Sequence, residues 1–489
     1  MERSLLSLII ALLCSIVRQL GAINKWPWWQ TTTLTAWDWE SALRFLGIRL
    51  GDVPTTVIRD RAVTVDALVR RADVFSDRPL GGGATTIISD GRLQIITTVP
   101  YGPHWVALRR NLTSEAFHPV RGLARAVPHR ARAVSALVAD IAARSADGGG
   151  GGVVPVRECL YAALFALNVA TCFGDGVDGE QVEAMRVAQR EFLRILPSFR
   201  VFSTFQKVAR LLYRGRWKQL VHSRRTQEEM YLPLVKACQE RRRRTGDTTT
   251  ATSYVDTLLD LEVPMEGDPP HRRRKLNDGE MVGLGVGVPG RLDGHRALPA
   301  RVDAGQPGAA AGRPEPAARR GRGGRRRGLR VPAGRGDGVA AAAPASAVGA
   351  AAHEQRRRGR WHARRRGHVV NFSLEDIGWD GKIWTSPEQF IPDRFMPGGE
   401  GAGVRLTVGS KETTKVKMMP FGAGRRICPG MGYATLNFEY FLANLVKTFE
   451  WHPVKGEEVD LTAEHGFFTT MRNPLRARVV SRKTTLATT

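Results

Sequence analysis

The sequence predicts a mainly α-helical fold, interrupted by one segment that cannot contribute to a core. Three observations predict it. Residues Gln181–Arg244 alternate charged and apolar side chains at helical spacing. Gly432–Phe449 repeats that spacing, with Leu436, Tyr440, Ala443 and Val446 as the expected core-facing stripe. Residues 285–368 instead hold nineteen Arg against five Asp plus Glu, with no Phe, Tyr, Ile, Met, Cys, Lys, Asn or Thr. Low hydrophobicity with high net charge predicts disorder there.

The elements follow in order. Leu5–Val17 is a mostly apolar run. As a helix it would be about 20 Å long, short of the ~30 Å hydrocarbon core. It reads as the core of a cleaved signal or as a retained anchor, and no small-residue cleavage site stands out. Trp105 and Arg109 lie four residues apart, on one helix face. Gly148–Gly152 follows an Ala/Arg-rich helical stretch and cannot extend it, so a flexible loop is expected. Arg241–Arg244 reads as a solvated helix end. A length of 489 residues fits one large domain or two or three smaller ones. Five cysteines (Cys14, Cys159, Cys172, Cys238, Cys428) are few, odd in number and widely spaced. They imply reduced thiols rather than a disulfide framework.

Pro420–Gly430 reads PFGAGRRICPG. It sets Cys428 at the end of a glycine-punctuated loop, just before an apolar helical run. Gly422 and Gly424 let the backbone bend sharply and approach a flat cofactor. Pro429 is expected in the first turn of the following helix. The positive end of that helix favours a thiolate. Arg426 can reach an acidic cofactor edge. The arrangement suits iron held through one sulfur.

The pattern F-G-x-G-x-R-x-C-x-G is complete in Phe421, Gly422, Gly424, Arg426, Cys428 and Gly430. It resembles the heme-binding loop of the cytochrome P450 family, the heme-thiolate monooxygenases. Pro392-Asp393-Arg394-Phe395 is similar to the P-x-R-F element that precedes that loop. Val74–Pro79 resembles the F-x-D-R-P step, and Trp105-Val-Ala-Leu-Arg109 the W-x-x-x-R pair. Phe467-Phe468-Thr469, followed by Asn473-Pro474-Leu475, resembles a C-terminal hairpin that touches substrate; a plain hairpin core explains those phenylalanines equally well. KMMPFGAGRRICPG and PEQFIPDRF look most like plant microsomal members, in the group numbered family 89. Residues 18–50 depart from the pattern, having no proline-rich hinge.

The resemblance implies a mainly α fold with small β-sheets and heme b (iron protoporphyrin IX) as cofactor. It implies Cys428 as catalytic residue and iron ligand. Trp105, Arg109, Pro420, Phe421, Gly422, Arg426 and Gly430 would line the cofactor, with Arg109 and Arg426 on its propionates. Arg394 would be structural, paired with a buried glutamate that this chain lacks as written. The implied partners are O2, a small organic substrate, NADPH-cytochrome P450 reductase and the membrane. The implied place is the endoplasmic reticulum membrane, with the catalytic domain facing the cytosol and Leu5–Val17 as anchor. Lys411, Lys415, Lys417 and Arg425 read either as a docking patch for an acidic redox partner or as ordinary surface cations.

Residues 285–368 occupy the place of the family's central helix. An Arg/Gly-rich run is also what a nucleic-acid-binding segment looks like, but no nucleic acid is expected as a partner. A shifted reading frame accounts for the segment better. Read from the last two bases of each codon and the first of the next, Arg291–His295 can spell the central A-x-T-D-T motif. Gly338–Pro344 can spell E-x-x-R-L-H-P, the absent Glu–Arg element. The expected organisation is a signal-anchor or signal-like segment (1–20), an N-terminal part (21–284), the out-of-frame segment (285–368) and a heme-binding C-terminal part (369–489). A monooxygenase that is inactive as written follows. The alternative is a non-catalytic product whose Arg-rich middle binds nucleic acid.

Overall fold

The computed structural model describes residues 45–50, 53–78, 95–118, 120–146, 152–200, 202, 206–246, 253–265, 272–294, 347–350, 369–387, 389–404, 416–460, 462–465 and 469–482. The chain divides into Met1–Leu46 and Gly47–Thr489, and the elements that build the core and the site belong to the second unit. Leu5–Val17, Gly148–Gly151, Lys411, Lys415, Phe467 and Phe468 lie outside the described residues.

Strands β1 (Phe45–Leu50) and β2 (Val53–Ile58) lead into a helical run over 61–75. Helices α1 (Pro103–Asn111) and α2 (Arg121–Ala146) follow. Strand β3 (Val153–Pro155) then precedes α3 (Val156–Phe173) and α4 (Gly179–Ile195). After α5 (Arg214–Thr245), the hairpin β4 (Glu262–Pro264) and β5 (Arg273–Lys275) leads into α6 (Asp278–Gly294). Strands β6 (Ala347–Ala350) and β7 (Val369–Phe372) are followed by α7 (Met431–Thr448). Strands β8 (Phe449–His452), β9 (Ala463–His465), β10 (Thr469–Met471) and β11 (Arg476–Ser481) come last. Among the described residues the strands form four small sheets: β1-β2-β7-β6, β10-β9, β3-β11-β8 and β4-β5. β2 and β7 pair in parallel, Thr55 opposite Val369. The mainly helical fold with small sheets is as expected.

Local chemistry sets the helix ends. The Asp178 carboxylate accepts the Gln181 N–H at 2.8 Å at the start of α4. Gly246, at φ +64°, ends α5. Arg241 and Arg242 just before it bond to Asp256 and Asp260, while Arg243 and Arg244 are solvated beside Glu240. Only half of that arginine run is therefore the solvated helix end expected.

The main core gathers Trp105 and Leu108 of α1, Phe165 and Phe173 of α3, Tyr231 of α5 and Met281 of α6. Helix α3 is apolar and long enough to cross a membrane by composition alone, but 61% of it is buried in the fold. It packs against α2 and α6 as a core helix.

One expectation is corrected. Helix α7 buries Tyr433, Asn437, Phe441 and Leu445, while Tyr440 and Val446 are 38% and 40% exposed. The buried row contains polar members that have partners inside: the Asn437 oxygen accepts from Arg130 Nε at 2.6 Å, and the Tyr433 hydroxyl donates to Asn168. Apolar spacing alone selected the wrong face. Residues 285–294 continue α6, and Ala347–Ala350 pairs antiparallel with β7. Glycine and Pro289 make 285–294 a poor helix former. The start of α6 is held by a reciprocal Asn277–Glu280 cap and by packing on α3 and α5.

Candidate functional site

Three backbone hydrogen bonds shape the loop before α7. Gly422 N–H donates to the Met419 carbonyl at 2.9 Å, Ile427 N–H to Gly424 at 3.2 Å, and Cys428 N–H to Phe421 at 2.9 Å. Gly422 and Gly424 sit at φ +76° and +71°, the left-handed region that glycine tolerates. A Cβ on Gly424 would overlap the Leu68 carbonyl oxygen. The loop therefore rests directly on the helical run of 66–70. Met418, Met419 and Pro420 are buried beneath it.

Helix α7 starts at Met431 with Gly430 as its N-cap, and the Gly430 carbonyl accepts Ala434 N–H at 2.8 Å. Pro429 thus lies in the turn before the helix, not in its first turn as expected. Gly430 has the non-helical backbone that a cap needs, so the helix cannot begin earlier.

The four described cysteines are reduced thiols. Burial pushes the Cys159 thiol up to about 12 and raises Cys172 and Cys238 as well. Such groups are poor thiolates. Cys428 differs from them in being only half-buried.

Helix α1 brings Trp105 and Arg109 to this loop. Arg109 Nη2 donates to the Ile427 carbonyl at 2.5 Å, next to the cysteine, and its guanidinium lies 5.8 Å from the Trp105 ring centre. Arg426 donates to the carbonyls of Ser76 at 2.7 Å, Val99 at 2.7 Å and Ile96 at 3.3 Å. Its guanidinium stands 4.7 Å over the same Trp105 ring. Trp105 is 5% exposed and donates from Nε1 to Ile96.

Burial lowers the Arg109 pKa, against the pull of the Cys428 charge. Arg426 is pushed down to about 9, first by burial and then by Arg78. Burial also lowers Arg78, opposed by Asp77. Three desolvated guanidinium groups therefore gather beside the loop. The hydrogen bonds from Arg109 to Ile427 and from Arg426 to Ser76, Ile96 and Val99 run to carbonyl oxygens. Carbonyls orient a cation without neutralising it. A bound dianion would neutralise the pair. The two propionates of heme b carry that charge, so the donor set fits the group.

Cys428, Trp105, Arg109, Phe421, Gly422, Arg426 and Gly430 thus come together, with Pro420 at the buried base. The role of Arg78 was not legible, although its motif was. Its importance arises from Arg426, far along the chain. Arg394 lies apart from this cluster. The buried glutamate expected from the absent Glu–Arg element has no counterpart as written; Arg394 Nη1 instead lies 3.2 Å from Oε1 of the partly exposed Glu400. Lys417, read as part of a possible surface patch, is half-buried and bonds to the Glu400 carbonyl.

Comparison with known proteins places the chain in a family. The family model described as Cytochrome P450 matches residues 42–284 and 365–479. Cytochrome P450 89A9 of Arabidopsis thaliana is 32% identical over 91% of this chain and 89% of its own length. Pluviatolide synthase of Sinopodophyllum hexandrum is 37% identical over 24% of this chain and 22% of its own length. Cytochrome P450 81F1 of Arabidopsis thaliana is 41% identical over 22% of this chain and 20% of its own length. The chain belongs to the cytochrome P450 family of heme b-dependent, heme-thiolate monooxygenases, and within it to the plant group numbered 89.

Proposed function

We propose that this chain holds heme b through the Cys428 thiolate, with Arg109 and Arg426 on the propionates and Trp105 packed beside them. The observation that carries this is the convergence of two desolvated arginines on the backbone that presents one half-buried cysteine. Bound heme supplies the oxygen chemistry, by which one atom of O2 enters an organic substrate. The protein's part would be to keep the Cys428 sulfur anionic, so that it could donate electron density to the iron. The guanidinium groups hold the cofactor's acidic edge by charge-assisted hydrogen bonds. The donor of electrons is NADPH-cytochrome P450 reductase. The site is the endoplasmic reticulum membrane, with Leu5–Val17 as anchor and the catalytic domain in the cytosol.

Turnover needs an acid–alcohol pair on the central helix to deliver protons, and residues 285–368 as written lack it. We read that segment as out of frame. The family match stops at 284 and resumes at 365, which supports the reading. The test is oxygen consumption with NADPH and a plant reductase. The chain as written should run at background. Replacing 285–368 by its shifted-frame translation should raise the rate at least tenfold. Equal rates in the two proteins contradict the proposal.

A further inference from the structure

Glu400 sits in a glycine-rich turn that presses on the Pro392–Phe395 turn. A Cβ on Gly399 would overlap the Arg394 carbonyl oxygen, and one on Gly401 would come within 2.8 Å of the Phe395 ring. Gly401 N–H donates to the Arg394 carbonyl at 2.6 Å. No larger residue allows this approach.

The turn brings one carboxylate to two segments. Glu400 Oε1 pairs with Arg394, whose side chain is 7% exposed. Glu400 Oε2 accepts Thr385 N–H at 3.0 Å. Arg394 Nη2 donates to the carbonyls of Thr385 at 3.0 Å, Ser386 at 3.1 Å and Gln389 at 3.3 Å. Ser386 takes φ +47°, a costly conformation for a residue with a side chain, kept by these bonds. The Glu400 carbonyl also accepts from Lys417 Nζ. The Arg394 guanidinium and Lys417 Nζ both lie over Trp384, at 5.7 and 5.5 Å. Trp384, Phe395 and Met418 form one apolar cluster. Met418 opens the loop whose Phe421 carbonyl receives Cys428 N–H.

We propose that Glu400 is a positioning residue for the Cys428 loop. It supplies the carboxylate for Arg394 from within the C-terminal part, so the loop's support does not depend on 285–368. The claim that this loop then binds heme rests on the proposed function; the claim that Glu400 orders the loop does not.

The test uses the full chain with Glu400→Ala, Glu400→Gln and Glu400→Asp. Amide hydrogen exchange is followed over 416–428, with α3 as internal reference. Loss of a charge-assisted network should speed exchange over 416–428 by about tenfold in Glu400→Ala while α3 is unchanged. Glu400→Gln keeps the shape, folds, and should fall between Glu400→Ala and wild type; Glu400→Asp should restore part of the protection. In chains loaded with heme b, the thiolate-ligated share of the reduced carbon monoxide spectrum should fall in the same order. Exchange over 416–428 within twofold of wild type in both Glu400→Ala and Glu400→Gln overturns the proposal, as does equal acceleration in α3. Faster loop exchange in a chain whose wild type takes up no heme would leave Glu400 standing and sink the heme reading instead.

Discussion

Gly422 and Gly424 share a left-handed backbone but differ in their surroundings. A Cβ on Gly422 meets open space, whereas one on Gly424 meets the Leu68 carbonyl. Gly422→Ala should therefore cost only the left-handed penalty, about 1–2 kcal/mol. Gly424→Ala adds a backbone collision and should cost at least about 2 kcal/mol more, in the range of other strained or overpacked sites. Urea unfolding of both variants checks this, and equal losses would contradict the description of the loop. At this scale the sequence was most readable where backbone geometry demands one residue type. Gly422 and Gly424 fall in that class. Glu400 and Arg78 do not. A glutamate in a glycine-rich turn gives no local signal, and Arg78 matters through a neighbour some 350 positions away.

Helix α6 shows how elements are decided by what touches them. Its glycine-rich sequence opposes a helix, yet its N-terminus is fixed by Glu280, which is 1% exposed. Arg274 bonds both Glu280 oxygens at 2.7 Å, and Asn277 N–H adds a third bond at 3.0 Å. Burial pushes the Glu280 carboxyl up, but the bonds from Arg274 and Asn277 outweigh it and hold it below the usual 4.5. A carboxyl with a depressed folded-state pKa contributes stability that is present above its unfolded value and lost as pH falls through the folded one. Glu280→Gln should cost about 1–3 kcal/mol at pH 7. The gap to wild type should shrink as pH drops below about 4.5. A gap that stays constant down to about pH 3.5 in urea titrations contradicts the pairing. Element identity was legible for α4, α5 and α7 from spacing alone. The buried face of α7 was not. Its inner row includes Tyr433 and Asn437, whose oxygens are hydrogen-bonded inside to Asn168 and Arg130, and hydrophobic spacing cannot register that.

At the scale of the whole molecule, the contacts of the proposed heme cradle come from two regions that flank 285–368. Arg426 reaches Ser76, Ile96 and Val99; Arg109 reaches Ile427; Arg61 Nη1 reaches the Val416 carbonyl at 2.5 Å. None of these contacts uses the Arg-rich segment. Under the proposed function, cofactor cradle and catalytic turnover therefore separate: the first survives in the chain as written, and the second does not. Composition located the anomalous stretch, because a core cannot be built from Ala, Gly and Arg. The buried glutamate expected to face Arg394 is lost with that stretch, and the carboxylate beside Arg394 is that of Glu400, six residues later. The measurement that bears most directly on heme binding through Cys428 is the reduced carbon monoxide spectrum of the purified full chain beside Cys428→Ala. A thiolate-ligated band in the full chain and none in Cys428→Ala is the predicted result. The same band in both, or bound heme without that band in the full chain, would contradict it.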